Sequence, residues 1–266
     1  MTETEQIRAK AKELLDAKKV DCVIGYERAT DGKNARPMFA YSAKEADRLI
    51  FDQTCRHDLV KYLLNRKDKV TGIVVKPCDS RAINQLLAEG GVSRDRLYII
   101  GVACSGVIDL KKAEARFPGT LARAEVAEEN DTYLISIDGQ THTVPRDELL
   151  ADTCKTCQYP TPLIFDKLVG DKRKGSPARY DDINTLEEKT PEEKREFWQY
   201  QLSRCIRCYA CRNACPLCYC DGCILDKLKP QWVKRSVDTA GNVMFHLTRA
   251  FHLAGRCVSC GECERV

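Results

Sequence analysis

VTGIVVKPCDSRAINQLLAEGGVSRDRLYIIGVAC, residues 70–104, is the stretch on which the fold turns. Residues 70–75 and 97–102 are short, β-branched and almost free of polar side chains, and residues 80–89 between them have helical spacing. Two buried strands joined through a helix make a parallel βαβ unit in an α/β layer. Working outward, residues 20–26 read as another strand, residues 43–65 as a long helix and residues 1–20 as an amphipathic helix. Residues 132–137 alternate in polarity and join through Asp138-Gly139 to residues 141–144, which predicts a hairpin. The expected fold class is therefore α/β, with a βαβ-containing N-terminal domain over residues 1–170 and a second, mostly helical domain over residues 196–266.

Residues 171–195 separate the two. DKRKGSPARYDDINTLEEKTPEEK (171–194) is built of charge, Gly, Ser and Pro and reads as a charged linker. It ends in a helix start, with Thr190 at the N-cap, Pro191 at N1 and Glu193 at N3, leading into a helix over residues 196–202. Residues 243–253 form a further helix, with Gly255 as its C-cap.

The 266 residues include 16 cysteines, with 43 Lys and Arg against 39 Asp and Glu for a formal net charge of +4. A chain of this length has no need of a disulfide framework, so cysteines at short fixed spacings point to metal or catalytic chemistry in a reducing compartment. The N-terminus lacks an apolar signal region, and the longest apolar runs fall far short of the ~20 residues of a membrane span. The expected location is cytoplasmic, with no membrane span. Basic and acidic residues are interleaved, which argues against a nucleic-acid partner. No Ser/His/Asp set, carboxylate pair, G-x-G-x-x-G or Walker loop stands out, and the four histidines offer no metal pair.

The densest signal is Cys205-x2-Cys208-x2-Cys211-x3-Cys215-Pro216, the run by which bacterial-type ferredoxins hold 4Fe-4S clusters. Cys257-x2-Cys260-x2-Cys263 is a second copy, whose fourth cysteine would fall just after Val266, so the helical domain is expected to run on past that residue. By the crossed-ligand rule, Cys215 joins Cys257, Cys260 and Cys263, and Cys205, Cys208 and Cys211 await a fourth partner. Structural zinc is the competing assignment for Cys-x2-Cys pairs, but it rarely uses three cysteines at two successive x2 spacings followed by x3-Cys-Pro. A second constellation lies in the α/β region. Cys78 and Cys104 each directly follow a strand of the βαβ unit, at the carboxyl edge where open α/β sheets place ligands, and Cys154-x2-Cys157 supplies a pair from downstream. Asp79 or Ser80 is expected to cap the helix after Cys78, whose N-terminus would favour thiolate. Together the four thiols suggest one more cluster.

Lys-Pro-Cys-Asp-Ser-Arg (76–81), Gly-Val-Ala-Cys-Ser-Gly (101–106) and Cys154-x2-Cys157-Gln158 resemble the beta subunits of deazaflavin-dependent hydrogenases and formate dehydrogenases, over residues 20–157. Residues 204–266 resemble the helical two-cluster ferredoxin domain of heterodisulfide-reductase-related subunits. The order departs from the better-known beta subunits, which commonly carry their ferredoxin motifs before the α/β domain. The resemblance implies an α/β domain with a 4Fe-4S cluster and, in several members, FAD, which Lys76 and Arg81 would face. It also implies other subunits of a redox complex as partners. The reading is an iron–sulfur electron-transfer subunit of an anaerobic oxidoreductase of hydrogenase, formate dehydrogenase or heterodisulfide-reductase type. The alternatives are a flavin-containing catalytic subunit reducing a small soluble acceptor and a zinc-stabilised interaction module.

Five cysteines stand outside these sets. Cys22 reads as core. Cys55, on the expected long helix, is the substitute should one α/β ligand be misassigned. Cys218, Cys220 and Cys223 are too concentrated to be packing alone and are additional metal-ligand candidates. Since a cubane with four thiolates carries about −2, three of them would move the formal +4 to about −2.

Overall fold

The computed structural model describes residues 1–32, 34–119, 124–129 and 131–266. The chain begins with α1 (Glu3–Asp16), β1 (Cys22–Arg28), β2 (Ala35–Ala40), α2 (Ala43–Ala46), β3 (Thr71–Val75), α3 (Pro77–Ala88), β4 (Leu97–Val102) and α4 (Leu110–Arg116). A meander of β5 (Glu125–Glu129), β6 (Thr132–Ile137) and β7 (Gln140–Pro145) follows, then α5 (Arg146–Leu149), α6 (Asp152–Lys155) and β8 (Lys167–Val169). The main sheet has the order β2-β1-β3-β4-β8, parallel throughout except for β2, which pairs antiparallel with β1 at one edge.

Alternation along the central strands fills two cores. Ile73 and Val75 of β3 join Ile24, Ile99 and the inner face of α3 (Ala82, Ile83, Leu86) on one side. Val74 points the other way, among Val23, Ile100, Val102 and the α1 residues Ile7, Ala11 and Leu14. A helix covers each face, which is why β3 reads as an unbroken apolar run. α1 starts where Thr2 Oγ1 accepts from Glu5 N–H at 3.2 Å and the Glu5 carboxylate accepts from Thr2 N–H at 2.7 Å.

The long helix expected over residues 43–65 does not form. Only α2 and a 3-10 turn at Val60–Asn65 are helical. Between them Asp52 Oδ1 takes the Thr54 N–H at 2.8 Å, Asp58 Oδ1 takes the Val60 N–H at 2.8 Å, and Ile50 bridges back to Tyr26. Carboxylates that bond nearby backbone compete with the helical ladder. The hairpin forms as expected, with Asp138 (φ 49°) and Gly139 (φ 81°) both left-handed.

The remaining helices are α7 (Asp181–Glu187), α8 (Pro191–Ser203), α9 (Ala210–Ala214), α10 (Thr239–Leu253) and α11 (Glu262–Arg265). α7 lies inside the stretch read as linker. α8 carries the expected capping box at Thr190 and Glu193, and Gly255 is left-handed beyond α10. Asn242, buried in α10, donates to the carbonyls of Leu202 at 3.0 Å and Cys205 at 2.8 Å, tying α10 to the end of α8. Among the described residues no helix is long and apolar enough to cross a membrane.

The helical region is docked on the α/β layer. Arg256 makes a two-pronged pair with Glu89, 2.5 Å on each prong, and Tyr219 Oη donates to the same carboxylate at 2.6 Å. Arg81 Nε donates to the Val258 carbonyl at 3.1 Å. Arg256 holds the Glu89 carboxyl at about 2 against an ordinary 4.5, so its contribution is full above pH 4.5 and is lost as pH falls towards about 2. Glu89→Gln is expected to lower stability by about 1–2 kcal/mol in urea unfolding. It should also flatten the loss of stability between pH 4.5 and 2; an unchanged acid limb would show that the clasp does not couple the two regions.

Candidate metal centres

β3 and β4 end side by side, and each delivers a cysteine to the carboxyl edge of the sheet. Cys78 stands in the first turn of α3, and Cys104 follows β4 with its N–H on the Pro160 carbonyl at 2.9 Å. The chain returns to this edge through the Ile108–Leu150 bridge and the Ala151 N–H on the Val107 carbonyl at 3.0 Å, which brings α6 with Cys154, and then Cys157, against them. Gly106 (φ +114°) permits the approach, since a Cβ there would lie 2.6 Å from Leu150 Cδ1 and 3.1 Å from Cys154 Cβ. All four cysteines line one pocket of about 380 Å³. A fifth thiol, Cys260 of the second ferredoxin motif, lines it too, a neighbour that separation along the chain concealed.

Burial pushes the Cys104 thiol up to about 12, with Cys154 adding to the effect, and pushes Cys260 to about 12, with Asp58 adding. Cys78 is driven well above the ordinary thiol value by burial and then by Asp79. The expected thiolate at a helix N-terminus is thus not favoured, because burial outweighs the helix end. The N-cap is Lys76 rather than Asp79 or Ser80; Asp79 reaches back to the Lys76 N–H at 3.1 Å, and Ser80 Oγ bonds the Pro77 carbonyl at 2.7 Å. Thiols of this kind lose their protons as they bind metal.

Beside them is a buried polar network that the sequence did not reveal. Lys76, 1% exposed, directs its ammonium at Asp79 Oδ2 (2.9 Å), the His57 carbonyl (2.7 Å) and Tyr26 Oη. Burial opposes this charge, but Asp79 and Tyr26 carry its pKa well above the usual lysine value. Lys76 lines the pocket with its ammonium already committed inward. Arg81 lines it as well, over the Tyr159 ring, and its Nη1 is buried without a partner. Glu262 is almost wholly buried; burial would raise its pKa, but the His57 hydrogen bond and Arg265 outweigh that and hold it at about 2.

The two ferredoxin-type loops share one backbone design. Arg207 (φ 60°) and Tyr209 (φ 63°) follow Cys205 at the same two offsets at which Ser259 (φ 52°) and Gly261 (φ 72°) follow Cys257. Left-handed residues at matched positions turn backbone N–H groups inward, as where Arg207 N–H reaches Cys205 Sγ at 3.4 Å. Cys208 and Cys211 complete the first loop, the latter in α9, with Cys215 at the end of that helix. Burial raises the Cys215 and Cys263 thiols, with nearby Cys263 adding to the first and Cys257 and Cys211 to the second, across the α9–α11 contact. Arg249 of α10 donates to Cys211 Sγ at 3.2 Å and to its carbonyl at 3.1 Å.

Cys22 is core, as expected. Cys55 is also fully buried, in the turn after Asp52, with burial holding its thiol far above the ordinary range, and it lines neither thiol-rich pocket. Cys218, Cys220 and Cys223 line a separate cavity. Among the described residues, no three His, Cys, Asp or Glu side chains converge on a single ion position. A polynuclear cluster needs its thiolates spread around several irons, which suits the four cysteines around the larger pocket. Cys104→Ser is expected to remove about four irons and as many sulfides per chain; unchanged iron would refute this ligand set.

No protein-family model matches the chain. It is 25% identical over 325 aligned positions to the F420-dependent formate dehydrogenase subunit beta of Methanocaldococcus jannaschii, covering 97% of this chain and 83% of that protein. It is 25% identical over 317 positions to the F420-dependent formate dehydrogenase 1 subunit beta of Methanococcus maripaludis, covering 93% and 80%. A solved structure of the F420-reducing [NiFe] hydrogenase complex from Methanosarcina barkeri contains a chain matched at a TM-score of 0.44 and 14% identity, over 58% of this chain and 62% of that one.

Proposed function

We propose that this chain, a homologue of formate dehydrogenase beta subunits, is an iron–sulfur electron-transfer subunit of an oxidoreductase complex of formate dehydrogenase, hydrogenase or heterodisulfide-reductase type. One observation carries the reading: Cys78, Cys104 and the Cys154–Cys157 pair come from three separate points of the chain to line one pocket, and Cys260 of a ferredoxin-type loop lines the same pocket. A 4Fe-4S cluster supplies a one-electron centre with little rearrangement. The chain's own residues do the rest. The thiolates of Cys78, Cys104, Cys154 and Cys157 hold one such centre, Cys257, Cys260 and Cys263 with Cys215 hold a second, and Cys205, Cys208 and Cys211 supply three ligands to a third. Cys260, in the wall of the first pocket, puts two of these centres in contact through protein alone.

The network around Lys76 sets the charge there. A buried ammonium beside a thiolate-ligated group favours its more negative, reduced state. Exposed apolar residues along α8 (Trp198, Tyr200) and α10 (Val243, Leu247, Phe251) support the expectation of partner subunits, since patches of this kind mark interaction surfaces.

Anaerobically purified chain is expected to hold at least about twelve irons with matching sulfide, whereas iron-free protein rich in zinc would overturn the reading. Lys76→Met should lower the reduction potential of the cluster lost in Cys104→Ser protein and leave the others in place; a potential that does not move would remove Lys76 from this role.

The pocket also favours a second reading. Its basic side chains, Arg81, Arg173 and Lys174 among them, far outnumber its one carboxylate, Asp147, and suit an anionic coenzyme such as FAD. A flavin-containing catalytic subunit would carry about one flavin per chain and reduce a small acceptor without partners; a flavin-free, electron-transferring preparation would exclude it.

A further inference from the structure

A second cavity, of about 200 Å³, lies between α9, α10 and the segment that joins them, and three thiols line it: Cys218, Cys220 and Cys223. The sequence around them explains the arrangement. Leu217 is buried in the core of the α/β layer, and Tyr219 packs against that core with its hydroxyl on Glu89. These two contacts hold the segment against the α/β layer, and Cys218 and Cys220, beside the anchored residues, line the cavity with Cys223.

The charged rim is uneven. Arg212 Nη1 donates to both oxygens of Asp226 at 2.8 Å while its guanidinium also lies against Cys223, and Arg256 is taken up by Glu89. Arg249 lines the cavity 9% exposed, with its Nε buried and unpartnered, and among the described residues no carboxylate pairs with it. Its other nitrogens bond only Cys211. With Cys211 the partner of its other nitrogens, the buried Nε is what remains unmet, and three neighbouring thiols become acceptors for it when a metal takes their protons.

The room is large for one ion, since a single water fills about 10–15 Å³ of such space. Among the described lining residues the imidazole is that of His252, and imidazole replaces cysteine at some iron–sulfur centres. We infer that Cys218, Cys220 and Cys223 hold an additional iron–sulfur cluster in this cavity, with His252 as the fourth donor and Arg249 as its buried counter-charge. The inference rests on the iron–sulfur reading of the chain but uses none of the ligands assigned above.

The full chain, purified without oxygen, would be alkylated with iodoacetamide and its labelled cysteines mapped before and after acid release of metal. Cys220 is exposed and would label at once were the site empty. The expected result is no label on Cys218, Cys220 or Cys223 until metal is released. Replacing all three by serine should lose about four irons and four sulfides. His252→Cys should keep the iron and change the potential and spin signal of one cluster only. Labelling of Cys220 in iron-loaded chain, unchanged iron in the serine variant, or loss of zinc instead would each overturn this site and leave the electron-transfer reading standing. An iron-free chain would overturn both.

Discussion

The ammonium of Lys76 is the contact on which the edge of this sheet depends. It sits where β3 ends and α3 begins, and it ties together Tyr26 of β1, the His57 carbonyl of the long connection and Asp79 of α3. Three pieces of chain that already share one hydrophobic core are fixed to one another at the sheet edge by a single buried charge. Taking such a charge out of water is costly, and it survives because every proton on it is met. With the ends of β1 and β3 fixed, Cys78 and Cys104 fall at neighbouring points of one rim, and the return of the chain near Leu150 adds the other two thiols.

The same rim receives the helical region. Glu89, at the far end of α3, is gripped by Arg256 and Tyr219, and Arg81, half-buried in the first half of that helix, holds the Val258 carbonyl. One helix therefore carries a thiol at its beginning and clasps at its middle and end. Its position sets both the α/β pocket and the seating of the loop around Cys257 to Cys263.

Much of this could be read before any coordinates. The βαβ core was legible because residues 70–75 and 97–102 are apolar on both faces and the helix between them is not, and the hairpin because Asp-Gly demands a left-handed turn. The four α/β thiols were legible because two of them follow strands. What escaped depended on partners far away in the chain. β2 contains Pro37 and pairs only along one edge, so its sequence carries little strand signal. The helix expected over residues 43–65 gave way to turns once Asp52 and Asp58 found backbone donors. A helix N-terminus beside Cys78 points to thiolate when the burial around it is out of sight, and spacing gives no sign that Cys260 faces the same pocket.

Cys260 in the wall of the α/β pocket has a consequence for how the molecule can be divided. The charged stretch around residues 171–195 looks like the place to cut the chain into two modules. Cutting there would not leave a sealed α/β domain, because Ser259, Cys260 and Arg265 form part of the enclosure around its four thiols. In terms of oxygen, the ferredoxin-type loop acts as a shutter: while it is seated, dioxygen has less of the pocket open to it, and a fragment lacking it would leave the four α/β sulfurs more open.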